Sequence, residues 1–412
     1  FNPPADLRVT PPPPIMIFFK SRRWSSQTVF AMLLMCSISL PASTFTVFTP
    51  LRAGSSPWRR RVGSLGALDE GLIPEAKVAE VESLYTQPAT LKPVPSLSTI
   101  RKALSPEIFE VDTFTSLTYF FKDLGLIFLS SYPLYSMTQS LTFQGLPFAA
   151  QLLLPVPLQL ASGFALWNMW CIGHDAGHGL VSKSGLVNEV VGEVAHSMFS
   201  LTPFSPWRLS HKKHHLNHNH LTADYSHQWF VREEDPLSGV WWMDLSHKTR
   251  MLQLPILYLV YLLAGVPDGG HVIPYGRMWE GEPDSAVRRG LLSSLVSISF
   301  ASALLAAMGP TTFATVCVIP WSVMSMWLFM VTYLQHHSPD GKLYTDDTWS
   351  FVRGGFETVD RDYGWVNDWS HNMMDGHVMH HLFFTKVPHY RLKQGTDELA
   401  AWLKERDQLE LY

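Results

Sequence analysis

Histidine is the most unevenly used residue in this chain: there are 18, and none precedes His174. Most fall in short clusters. His174-Asp-Ala-Gly-His178 sets two imidazoles four residues apart, and His211-Lys-Lys-His214-His215 and His377-Val-Met-His380-His381 each set three at i, i+3 and i+4. On a helix these spacings share one face, so each cluster can aim its ring nitrogens into one space. Thr332-Tyr-Leu-Gln-His336 adds one more ring. His174, His178, His211, His214, His215, His336, His377, His380 and His381 make nine candidate ligands. That is too many for one ion and suits two metals with four or five nitrogens each. The first cluster lacks the His-Glu-x-x-His pattern of a zinc protease. Soluble di-iron bundles bind through glutamates, whereas imidazole suits iron, zinc and copper alike. Iron is preferred, because an open paired site at a membrane fits O2 chemistry on a lipid.

The elements that must position these rings are membrane helices. Hydrophobic residues make up 46% and charged residues 16%, against about a quarter charged in soluble domains. A net charge of −4 without a long basic run gives no support to nucleic-acid binding. Three widely separated cysteines, Cys36, Cys171 and Cys317, support neither a disulfide framework nor a thiolate zinc site. Four apolar stretches are expected to span: Leu124 to Met137, extended backward by Leu117, Tyr119 and Phe120; Pro147 to Ile172, interrupted by Pro155 and Pro157; Leu291 to Met308; and Phe313 to Leu334. The short connections Thr138–Leu146 and Gly309–Thr312 pair them as two hairpins. Leu254 to Val266 is too short to cross and is expected in the interface. Two crossings then separate the early clusters from the late ones, which leaves every cluster on one side of the bilayer. The expected fold is an all-α membrane protein, with four transmembrane helices in two hairpins and a polar helical cap carrying a histidine-bound di-iron site.

The clusters, their order and their spacing resemble the membrane fatty-acid desaturases, and among them the methyl-end (omega-6/omega-3) acyl desaturases. The resemblance runs from about Leu97 to the C-terminus. It is carried by Gly173-His-Asp-Ala-Gly-His-Gly179, Trp207-Arg-Leu-Ser-His-Lys-Lys-His-His215, Thr332 to His336, Thr358-Val-Asp-Arg-Asp-Tyr-Gly364 and Gly376-His-Val-Met-His-His-Leu-Phe-Phe384 through Pro388-His-Tyr390. It implies two non-haem irons held by the nine histidines, with O2 as co-substrate and two external electrons removing two hydrogens from adjacent methylenes of a fatty-acyl lipid. Ala176 stands where Cys is common in these families, at a position that is not a ligand. Asn217-His-Asn-His220 is closer to omega-3 than to omega-6 members.

Asp175, Asp224, Asp362 and Asp375 are candidates to orient ligand histidines through the ring N–H turned away from the metal. Phe164, Trp167 and Trp170 could line an acyl tunnel, although span packing or an interface belt accounts better for any single one of them. A fused cytochrome b5 would show His-Pro-Gly-Gly, which is absent. The donor is therefore expected to be a separate protein, ferredoxin in a plastid or cytochrome b5 in the endoplasmic reticulum. Lys212, Lys213, Arg208 and Arg361 are basic residues available to guide it. Residues 1–15 are expected to be an over-extended gene model, 16–45 a signal-like segment, 46–67 a transit-like segment, 68–97 a linker and 98–412 the desaturase domain. This two-part leader favours a plastid membrane over the endoplasmic reticulum. Competing readings are an acyl hydroxylase, acetylenase or other lipid oxygenase on the same scaffold, and a histidine-lined membrane metal transporter or receptor.

Overall fold

A computed structural model of the 412-residue chain describes residues 91–408, apart from 92, 221–222, 225–257, 260, 264–269 and 339–340, together with 411. The leader segments and most of the expected linker lie outside the described residues. So does most of Leu254 to Val266; only 258–259 and 261–263 of that run are described, and they are helical.

The described chain is helical and holds no strand; an isolated β-bridge joins His220 to Tyr344. After α1 (Leu97–Ala103) comes α2 (Thr113–Gln139), 27 residues, whose Asp112 cap accepts the Phe114 N–H. α3 (Val156–His178) follows the short helix Phe148–Leu153, the two proline positions falling at the start of α3, where a missing N–H costs nothing. α3 ends at Gly179, whose φ of 78° is the left-handed exit that glycine adopts freely. Then come α4 (Gly185–Gly192), a π-helical turn at Glu193–Phe199 and α5 (Phe204–Asn217). α6 (Asp284–Met308) turns at Gly309 into Pro310–Phe313, a second π turn at Ala314–Val318, and α7 (Ile319–His336). α8 (His377–Phe383) and α9 (His389–Lys404) complete the chain.

Among the described residues, three helical runs are long and apolar enough to cross a bilayer: Phe148–His178, Asp284–Met308 and Pro310–His336. They contain the last three of the four spans expected from the sequence. The first expected span is also helical, lying inside α2, a 27-residue helix about 40 Å long at 1.5 Å per residue. Lys122, Asp123 and repeated Ser and Thr dilute its hydropathy, so length alone qualifies it. Its exposed face nevertheless carries Phe114, Phe121, Phe128, Leu129 and Tyr132. Its other face buries Phe120, Asp123, Ile127, Ser130 and Leu134 against neighbouring helices.

α3 is the central element. Gly163 lets it approach α7 so closely that an added Cβ would overlap the Val323 side chain and lie 2.8 Å from the Pro320 carbonyl. The next residue, Phe164, meets Trp327, one turn on from Val323, with ring centroids 5.0 Å apart. The two helices therefore run in the same direction, and His174 and His336 arrive together at their C-terminal ends.

Candidate metal centre

Four helix ends deliver the rings. His174 and His178 close α3, His336 closes α7, His211, His214 and His215 lie on α5, and His377, His380 and His381 lie on α8. α5 is pressed onto α3 by aromatic stacking: Trp207 lies parallel to His211 at 4.5 Å and edge-on to Trp170 at 4.9 Å. α8 is started by Asp360, whose Oδ1 accepts the Val378 N–H at 2.9 Å.

The rings converge through the same nitrogen. Nε2 of His178 lies 3.2 Å from Nε2 of His174, which lies 3.1 Å from that of His380. Nε2 of His380 is in turn 3.1 Å from that of His215, and His215 2.9 Å from His211. These five form one group of possible metal ligands, and His214, His336 and His381 form a second. His377 stands beside the second group, its Nε2 3.0 Å from that of His336, which is itself 3.3 Å from His214. All nine sequence-derived candidates thus lie in one buried space, with His178 and His211 its partly exposed members.

A neutral imidazole nitrogen carries a proton or a lone pair, never both. A row of five Nε2 atoms can therefore make at most two of its four contacts as linear hydrogen bonds, and the remaining contacts set like groups together. Two nitrogens bound to one cation at about 2.1 Å would lie about 3.0–3.4 Å apart for angles between square and tetrahedral. The observed separations match that spacing, so the donor set fits a pair of metal ions.

The site's electrostatics favour neutral, metal-ready rings. Burial pushes the His211, His215, His380 and His381 pKa values well below the ordinary histidine range, and neighbouring imidazoles push them further. Burial alone takes His214 down to about 3. His214 Nδ1 lies 2.9 and 3.1 Å from the two Asp224 oxygens, so its N–H donates there and Nε2 keeps its lone pair. Asp175 comes within 3.4 Å of His174 Nδ1 and accepts the backbone N–H and Nδ1–H of His389, each at 2.9 Å.

Two of the four carboxylates singled out in the sequence, Asp175 and Asp224, therefore reach ligand candidates. The other two do not: Asp362 accepts from Gly364 and Asn367, and Asp375 contacts Asn372. Trp167 and Trp170 are buried, and Trp170 stacks on His196 at 4.0 Å. Three of the basic residues are engaged within the protein. Arg208 pairs with Glu189 at 2.7 Å, Lys213 donates to the Met278 carbonyl, and Arg361 donates to the Leu334 carbonyl. His196 stands outside both groups of possible ligands. It is fully buried between α3 and α5, donates to the Trp170 carbonyl at 3.0 Å, and is accommodated because residue 173 is glycine.

The model of the fatty acid desaturase family matches residues 150–410. The chain belongs to that family. It is 34% identical to the omega-3 fatty acid desaturase of the endoplasmic reticulum from Vigna radiata var. radiata, over 79% of this chain and 82% of that protein. It is 31% identical to the delta(12) fatty acid desaturase fat-2 of Caenorhabditis elegans, over 76% and 80%. It is also 31% identical to the sn-1 acyl-lipid omega-3 desaturase (ferredoxin) of Synechocystis, over 75% and 82%. This desaturase is accordingly an oxidoreductase of fatty-acyl chains, and its matched region contains every histidine described above.

Proposed function

We propose that this desaturase inserts a cis double bond toward the methyl end of a membrane-lipid acyl chain, at the omega-3 position, using two irons held by the nine histidines and electrons from a separate donor. The observation that carries the reading is the convergence of nine imidazoles from four helix ends, eight of them through Nε2, with spacings suited to a shared pair of cations. When bound, the irons supply what no side chain can: O2 activation strong enough to break unactivated C–H bonds. The protein's own residues hold and orient that centre. Asp224 fixes the His214 tautomer, Asp175 stands beside His174 while holding His389, and burial keeps protons off the ligand nitrogens.

Relatives named for omega-3 activity in both endoplasmic reticulum and chloroplast support the regiochemistry. Relatives named with ferredoxin or cytochrome b5 support a separate electron donor. Our reading favours ferredoxin and a plastid membrane, on the leader segments alone. It also has α2 cross the bilayer as the partner of Phe148–His178, with its exposed aromatic face toward lipid. The test is expression in a host lacking polyunsaturated fatty acids, fed mono- and di-unsaturated acyl chains, with lipids resolved by gas chromatography. A new double bond on the methyl side of an existing one is expected. A host profile unchanged by any feed would remove the reading.

A further inference from the structure

A second buried set of titratable groups has no role in the reading above. Asp123, on α2, is fully buried, and its Oδ2 lies 2.7 Å from Nε2 of the equally buried His371. His371 has a φ of 60°, and Asn372 follows at 55°. Two successive non-glycine residues in the left-handed region persist only where their surroundings hold them. The fastenings here are the Asp123–His371 bond and the Asn372 N–H donated to the Asn367 carbonyl at 2.9 Å.

This turn leads directly into the third histidine cluster. Its Met374 carbonyl also accepts the Gln335 side chain at 2.6 Å, beside His336. The His371 ring lies edge-on to His389, centroids 4.5 Å apart, and His389 holds Asp175, the neighbour of His174. Tyr119, one turn from Asp123 on α2, packs edge-on against both rings at 5.4 and 4.8 Å. A helix with no ligand candidate thus braces the segments that carry the first and third clusters.

We infer that Asp123 is a positioning residue for the metal centre: by accepting the His371 Nε2–H it fixes the turn at 370–376, and with it the placement of His377, His380 and His381 against the other rings. The inference rests on the histidine metal centre proposed above and extends it by giving α2 a part in the site. A carboxylate inside an apolar helix bundle is costly unless paired. Asp123 has two partners: His371 at Oδ2, and the Lys122 Nζ 3.5 Å from Oδ1. Burial takes the His371 pKa down to about 4, so the ring is neutral and its single N–H is the one given to Asp123.

The test uses the full chain purified in detergent, stripped of metal and titrated with cobalt(II), reading the visible absorption spectrum and the apparent affinity. Asp123→Ala removes the acceptor. His371→Asn keeps a residue that tolerates the left-handed turn but cannot reach Asp123. Each is expected to weaken cobalt binding about 10-fold and to change the spectrum. Asp123→Asn, which retains an accepting oxygen, is expected to restore most of the affinity. The double variant Asp123→Ala with His371→Asn is expected to be no worse than either single one. If Asp123→Ala does not accumulate, His371→Asn and Asp123→Asn carry the same expectations. Folded His371→Asn protein that binds cobalt with wild-type affinity and spectrum, whatever its melting temperature, would reduce the pair to a structural anchor and overturn the inference. Wild-type protein that takes up no cobalt would instead remove the metal centre itself.

Discussion

At the scale of single residues, the site depends on which nitrogen of each ring keeps its lone pair. Asp224 decides this for His214, because an N–H committed to the carboxylate cannot sit on Nε2. Asp224→Ala is expected to weaken metal binding about 10–100-fold, with Asn in between, as measured by metal retained after purification. A second expectation concerns pH. His196 is held down to about 3, and His271 and His371 to about 4, in each case chiefly by burial. Below the ordinary value of 6.5 the unfolded chain binds protons that the folded chain refuses. The folded state's advantage is therefore intact at neutral pH and is lost as pH falls. The metal-free protein should melt lower at pH 5.5 than at pH 7, by an amount corresponding to about 1 kcal/mol for each such group. An unchanged midpoint would show that these histidines are protonated in the fold. The ring set was legible in the sequence because helical periodicity places i, i+3 and i+4 together whatever the tertiary fold. The Asp123–His371 pair was not, because its partners are 248 positions apart and neither sits in a repeating pattern.

At the scale of elements, α3 and α7 do the positioning, since each ends in a ligand candidate and their mutual approach sets the gap between those ends. Gly163 permits that approach. Gly163→Ala would place a methyl group against both the Val323 side chain and the Pro320 backbone, and backbone cannot swing aside. Such overpacking is expected to cost about 1–3 kcal/mol and to lower the thermal midpoint together with metal content. A variant with wild-type midpoint would mean that the helices are less closely apposed. Hydropathy located Phe148–His178, Asp284–Met308 and Pro310–His336 well, because long apolar runs need no context to be read. It placed their ends less well: α7 carries its helix on to His336, and a polar residue at a helix end looks like loop in a hydropathy profile. The π-helical turn that seats His196 left no sequence signal, since it answers to packing against Gly173 rather than to local propensity.

For the molecule as a whole, the consequence is that clusters far apart in sequence share one buried space. Removing metal with a chelator should abolish desaturation in isolated membranes, and ferrous iron should restore it where zinc does not, because zinc has no redox chemistry to offer O2. Restoration by zinc would contradict a redox centre. The most direct test of the central claim is metal analysis of the purified full-length protein combined with X-ray absorption at the iron edge. The account predicts two irons per chain, each surrounded by nitrogen at about 2.1 Å with no sulfur shell. A single iron, stoichiometric zinc or a sulfur scatterer at the metal would contradict it.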